Sequence, residues 1–455
     1  MSASLALSLW LQSARLQQQT GAALGSTTAP DSNWTLDLLE WVRTSWLSTK
    51  LAGLAGMDQA PALPTWAAAA IGAGIAVGIV IGFVSVVAMF SIWLERRVAG
   101  RIQSRIGPNR VGPFGLLQSL ADGVKLLLKE DIIPSGADRK LFVLAPALVM
   151  ASALAMFAAV PMADGAGFTD INLGVLFIVG ISALATIGVI MAGWSSNNKW
   201  ALYGAMREAA QVVSYEVPLG ISLLVPVIVG GTLELGAASR LQSGWGGSCW
   251  FLFQNPFVLP AFVLYFIAAL AENKRAPFDL PESESELVAG FHTEYSGIRF
   301  SFFFLEEYAA MFLMSAVGTA LFLGGWNFPG IDLLKGGWLI AAQLAVFVVK
   351  SMFLVLLMIW IRWTLPRMRV DQVMVMGYKY LTPLSLICVV GASVWEVWAA
   401  VPFHERPIWM QLFTPVLVFG VCAVLGAMLR KQAIESAAQP TTRSRIAPRA
   451  HAAAH

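Results

Sequence analysis

Between Ala271 and Tyr308 the chain reads AENKRAPFDLPESESELVAGFHTEYSGIRFSFFFLEEY. Eight carboxylates lie in that stretch: Glu272, Asp279, Glu282, Glu284, Glu286, Glu294, Glu306 and Glu307. Lys274, Arg275 and Arg299 oppose them, and both flanks are strongly apolar. An acid-rich hairpin between two apolar segments serves no evident folding purpose. Desolvation disfavours the charged form of a carboxyl group, so buried carboxylates can hold protons near neutral pH. The segment points to proton handling at a membrane surface.

Further titratable groups stand in or beside apolar runs. Arg207, Glu208 and Gln211 are close on a helix, and Glu216 lies eight residues after Glu208, near the same face. Glu216 precedes Pro218 and enters an apolar span, and Lys350 sits near the middle of the apolar run 337–361. A charge deep in a span costs about 2.5–3.5 kcal/mol on insertion scales, so such groups face polar cavities or partners. A carboxylate is the expected partner of Lys350. With Glu272 at the end of one span and Glu307 one turn into the next, Glu216 would form an intramembrane line of titratable groups.

Two other segments have a defined chemistry. In GPNRVGPFG at 107–115, two Gly-Pro pairs force turns, so Arg110 is held on a stiff loop. Leu116, Leu117, Leu120, Val124, Leu127 and Leu128 then share one helical face, with Gln118, Asp122, Lys125 and Lys129 opposite. That pattern is an amphipathic helix at the membrane surface or under a partner. The stretch from Ile361 supplies Arg362, Arg367, Arg369 and Asp371.

Redox chemistry has no centre in this chain. Cys249, Cys388 and Cys422 have no metal-ligand spacing, and His451 and His455 lie in the tail. No expected span carries a His, which argues against a membrane haem. Electrons, if used, come from a partner subunit. Gly74, Gly78 and Gly82 recur at helical spacing in an apolar run, a helix-packing pattern rather than a dinucleotide loop.

The elements that position these groups are transmembrane helices. The chain has 455 residues, 57% hydrophobic and 13% charged, where a soluble protein carries roughly 25% charged residues. Bare backbone crosses lipid only as helix or closed barrel. The fold class is an all-α polytopic membrane protein. About nine spans are expected, at 66–94, 141–162, 172–194, 212–233, 255–271, 300–325, 337–361, 381–401 and 408–429. Loops 95–140, 195–217, 272–300, 362–380 and the tail hold 23 of the 30 Lys and Arg, so they are expected on the cytoplasmic side. The N-terminus is then outside and the C-terminus inside. Residues 1–63 read as an extension on the outer side without a charged signal-peptide start, 64–401 as the membrane core, 402–429 as an additional helix and 430–455 as a disordered tail.

Several motifs in order resemble the H subunit of bacterial NADH–quinone oxidoreductase (respiratory complex I), the counterpart of mitochondrial NADH dehydrogenase subunit 1. They are GPNRVGPFGLLQ at 107, LADGVKLLLKEDIIP at 120, REAAQVVSYEVPL at 207, AENKRAPFDLPESESELVAGF at 271, EYSG at 294, FFFLEEY at 302 and LPRMRVDQVM at 365. The resemblance spans roughly 66–401. Val370, Val375, Tyr378 and Ser119 depart from the family pattern, and Glu306 is an additional acid. An eight-helix core is usual there, so the ninth span is extra.

The resemblance implies a protein at the heel of the membrane arm that forms most of a quinone tunnel. It maps Arg110, Asp122, Lys125, Arg299, Arg367, Arg369 and Asp371 to the tunnel and docking region. It maps Glu282, Glu284, Glu286 and Glu294 to an acidic loop under the quinone headgroup, and Glu208, Glu216, Glu272 and Glu307, joined by Lys350, to a proton path. It further implies a bacterial inner-membrane complex whose partner subunits carry FMN and iron–sulfur clusters, with ubiquinone or menaquinone as substrate. On the same ground this chain is expected to bind no cofactor of its own. Rival readings are the related membrane subunit of a hydrogenase or formate hydrogenlyase, and a secondary transporter. The latter would show internal repeats, and none is evident.

Overall fold

The computed structural model describes residues 65–164, 167, 171–243, 250–280, 288–331 and 337–399, without the side chains of 65–73, 337 and 399. Glu282, Glu284, Glu286, the extension 1–63, the expected span 408–429 and the tail lie outside the described residues.

The described residues are helical, with no strand among them. Besides a single turn at Phe251–Gln254, the α-helices are α1 (Thr65–Ile102), α2 (Gln118–Leu128), α3 (Arg139–Ala158), α4 (Gly174–Ser195), α5 (Lys199–Gly230), α6 (Leu235–Leu241), α7 (Val258–Glu272), α8 (Gly297–Phe322), α9 (Gly337–Thr364), α10 (Val370–Val375) and α11 (Thr382–Ala399). A π-helical turn, Met376–Leu381, joins the last two. Among the described residues, seven segments are long and apolar enough to cross a membrane: Gly74–Ile102, Arg139–Ala158, Gly174–Ser195, Lys199–Gly230, Gly297–Phe322, Trp338–Thr364 and Val370–Trp398. The chain is a multi-pass membrane protein. α7 is shorter, about 22 Å at 1.5 Å per residue. It does not by itself match a hydrocarbon core of about 30 Å.

α5 and α8 form the centre. α5 packs on α4, α7 and α11, and α8 packs on α1, α3, α7 and α9. From Glu306 to Phe322, nearly every α8 residue is buried. Small residues let helices approach. A Cβ at Gly188 would collide with Val149 of α3, and one at Gly193 with Ala205 of α5. By contrast, a Cβ at Gly74, Gly78 or Gly82 would meet nothing within 4 Å, so this stripe of α1 packs on no described helix of the chain.

The expected span 212–233 begins much earlier. Asn198 caps α5 by accepting from the Trp200 N–H, and Gly231 ends it in the left-handed region at φ 66°. The sequence places 199–211 between spans, with Arg207, Glu208 and Gln211 close on a helix. Their helix forms because Glu208 and Gln211 are buried against partners at the end of α7 and in the turn after it.

Candidate functional site

The chain leaves α7 through a turn in which Lys274 adopts φ 55°. That turn sends two adjacent cations to different sides. Lys274 Nζ lies 2.5 Å from Glu208 Oε1 of α5 and 3.8 Å from Glu306 Oε2 of α8. Arg275, 2% exposed, places Nη1 at 2.9 Å from Glu95 Oε2 of α1 and Nε at 2.9 Å from Glu307 Oε1 of α8. The guanidinium also stacks 4.3 Å from the Tyr308 ring. Tyr308 donates its hydroxyl to Glu95 Oε2 at 2.8 Å, and Arg362 of α9 reaches Glu95 Oε1 at 2.5 Å. Side chains of α1, α5, α8 and α9 therefore gather around one dipeptide.

Both cations stay charged. Burial alone would lower Lys274, but Glu208, Glu306 and Glu307 outweigh it and raise its pKa. Burial likewise opposes Arg275, and Glu307 and Glu95 more than offset it. A buried ion pair is held by such geometry, and removing one member is strongly destabilising.

Two cavities flank the Lys274–Glu306 pair. One, about 30 Å³, is lined by Ser182, Thr186, Glu208, Glu272, Lys274 and Glu306. The other, about 90 Å³, is lined by Lys274, His292, Glu306, Glu307 and the rings of Phe291 and Phe300, among others. Both have room for water, and polar walls favour it. Glu272 interacts with Ser182 and with Glu216. Glu216 lies on α5 about 12 Å along the axis from Glu208. Its Oε1 is buried with no hydrogen-bond partner among the described residues. His292 sits at the aromatic cavity, where burial and then Lys274 lower its pKa from 6.5 to about 4.

The structure thus brings together Glu208, Glu272 and Glu307 of the expected proton line, with Glu216 within electrostatic range of Glu272. Lys350 is elsewhere. Its Nζ donates to the carbonyls of Leu323, Gly325 and Asn327, and no carboxylate pairs with it among the described residues, contrary to expectation. Glu294 accepts from Asn198 Nδ2 at 2.7 Å and lines an open cleft of about 520 Å³ with Pro134, Gly136, Ser196 and Lys199.

The residues mapped to the tunnel and docking region are dispersed. Asp122 pairs with Arg96 at 2.5 Å, fixing α2 to α1, and stands 3.9 Å from Lys125 within α2. The apolar face of α2, from Leu116 to Leu128, is exposed as the amphipathic pattern requires. Arg110 is exposed on its loop, which Trp93 holds by donating to the Phe114 carbonyl. Arg299 pairs with Asp131 at 2.9 Å, and Arg367 with Asp279 at 2.9 Å. Arg369 and Asp371 are exposed at the start of α10.

Sequence reasoning missed Glu95 and Tyr308, and took Lys274, Arg275 and Glu306 only as local charge. The available signal was a Lys-Arg pair directly after an apolar run, which needs buried acids if it stays at that depth.

The sequence profile of the NADH dehydrogenase family matches residues 75–393. The NADH-quinone oxidoreductase H subunit of Anaeromyxobacter dehalogenans (strain 2CP-C) is 46% identical over 336 residues, 71% of this chain and 81% of the relative. The protein of the same name from Chlorobaculum parvum (strain DSM 263 / NCIMB 8327) is 44% identical over 359 residues, 75% of this chain and 99% of the relative. The chain belongs to the family of NADH-quinone oxidoreductase H subunits. A third relative, from Dehalococcoides mccartyi (strain CBDB1), is 50% identical over 311 residues, covering 68% of this chain and 82% of its own length. The matched region 75–393 takes in the whole buried charge cluster, from Glu95 to Arg362. The chain is a membrane subunit of that enzyme complex, and its partners are the other subunits.

Proposed function

We propose that this chain couples quinone reduction to proton translocation in a bacterial inner-membrane NADH–quinone oxidoreductase. NADH is oxidised by FMN and iron–sulfur clusters in partner subunits. The quinone, ubiquinone or menaquinone, is reduced where this chain meets the peripheral arm. The cleft at Glu294, the acidic residues Glu282, Glu284 and Glu286, and the exposed Arg110, Arg369 and Asp371 serve that end. Asp122, Arg299 and Arg367 hold the surrounding elements in place, and Lys125 presents its charge on the exposed side of α2.

One observation carries the proton path. Lys274 and Glu306 line both cavities, so the two cavities share this ion pair as a common wall. A change in charge near His292 and Glu307 alters the balance of that pair, and Glu208 and Glu272 face it from the far cavity. Glu216 continues the line. The cluster holds Glu95, Glu208, Glu306 and Glu307 against Lys274, Arg275 and Arg362, before Glu216 and Glu272 are added. A cluster with more carboxylates than cations has room for exchangeable protons.

Glu306→Gln and Glu216→Gln in the complete complex should each lower NADH-driven quinone reduction and proton uptake into inverted vesicles by roughly tenfold or more. NADH oxidation by ferricyanide should be unchanged. Full turnover and pumping in either variant removes that residue from the path.

A further inference from the structure

Lys350 is the one charged residue in the middle of α9, and it pairs with no acid among the described residues. It lies about 20 Å into the helix from Gly337. The segment it touches, Leu323–Asn327, is not helical, yet stands beside the middle of a helix. Lipid cannot satisfy irregular backbone, which survives at such depth only when buried in protein.

Here the burial is specific. Gly324 and Gly325 have φ 77° and 54°, and a Cβ on either would collide with the Trp250 indole or with Ser239. Gln242 Oε1 accepts from the Gly324 N–H at 3.0 Å, and the Gly325 N–H donates to the Thr319 carbonyl at 2.9 Å. Asn327 Nδ2 donates to the Ser239 carbonyl. The Gly324 carbonyl accepts from the Asn327 N–H at 2.9 Å, and the carbonyls of Leu323, Gly325 and Asn327 converge on one point. Lys350 Nζ is 2.8 Å from that of Leu323, 3.1 Å from that of Gly325 and 2.6 Å from that of Asn327. Its fourth side is the Trp250 ring, 4.4 Å from Nζ.

Three acceptors match the three N–H groups of an ammonium, and an indole face attracts a cation. Leu323 is also the C-cap of α8, where the helix dipole favours positive charge. We propose that the turn Leu323–Asn327 and Trp250 form a binding site for a primary ammonium. Lys350 is its tethered occupant. It fixes the end of α8 remote from Lys274 and Arg275, and it does not carry a proton between carboxylates.

The test uses the assembled complex. Lys350→Ala empties the site, and n-propylammonium supplies the missing methylenes and the charge. Backbone hydrogen exchange at Gly324 and Gly325 should speed up by at least about tenfold in Lys350→Ala. n-Propylammonium should restore protection saturably, whereas tetramethylammonium, lacking N–H groups, should not. Lys350→Met, of similar length without charge, should exchange as fast as Lys350→Ala. Protection that survives in Lys350→Met would show simple packing and overturn the proposal. So would loss of pumping in Lys350→Ala with the turn still protected. If Lys350→Ala does not accumulate, n-propylammonium during expression should restore assembly, and failure to do so also overturns it.

Discussion

Replacing Lys274 with Met is the most direct probe of the buried cluster. The change keeps the chain length and removes the charge. At an effective dielectric of about 20, Lys274 attracts Glu208 at 2.5 Å by about 7 kcal/mol and Glu306 at 3.8 Å by about 4 kcal/mol. Most of that attraction offsets the desolvation of three buried groups. Breaking a buried pair from one side costs about 3–5 kcal/mol, because the abandoned charge stays buried. Glu208 is 0% exposed, so the upper part of that range applies. Adding Glu208→Gln to Lys274→Met removes the abandoned charge and should recover about half of the loss. The assay is the rate of heat inactivation of the purified complex across the four members of the double-mutant cycle. A coupling of about 1.5 kcal/mol or more, just over tenfold in rate, is expected. Additive effects, or a Lys274→Met variant as durable as wild type, would show that the pair is not what holds α5 and α8 to the turn after α7.

Arg275→Lys should also be damaging despite the retained charge. A single ammonium cannot reproduce separate N–H contacts to Glu95 and Glu307 while stacking on Tyr308, so complex stability should fall by about 2 kcal/mol in thermal inactivation. His292 gives a pH signature. Burial and Lys274 hold its folded pKa near 4, below the ordinary 6.5, so the unfolded chain binds the extra proton. Its contribution is complete above pH 6.5 and is lost as pH falls toward 4, at about 1.4 kcal/mol per pH unit at most. Opening of residues 288–296, read by hydrogen exchange, should therefore depend less on pH in His292→Gln than in wild type. An unchanged profile would refute that assignment.

The helical architecture was legible because apolar runs are long and interrupted by charge. What stayed hidden was partnership. Glu208 read as lying on a helical stretch outside the span because its neutralising cation, Lys274, comes from the turn after α7, and nothing in the letters at 199–211 indicates it. Lys350 was expected to find a carboxylate, yet its partners are backbone carbonyls, which every residue carries and no letter distinguishes. Glu272 ends α7, as its place after an apolar run indicated, whereas Glu307 lies ten residues into α8, deeper than the one turn expected. Glu95 escaped notice among the arginines after it, although α1 carries it to the same centre as Arg275.

The chain after Lys274 and Arg275 has its other end held as well. Arg367 grips Asp279, and the Met368 N–H donates to the Pro277 carbonyl at 3.0 Å. Residues 274–280 thus connect the segment before α10 directly to the ion pairs of α1, α5 and α8. A pull on that segment does not have to travel through a helix to be felt. It displaces one cation relative to Glu208 and Glu306 and its neighbour relative to Glu95 and Glu307 in the same stroke. Anything that docks against 365–369 therefore has its hand on both sets of carboxylates at once.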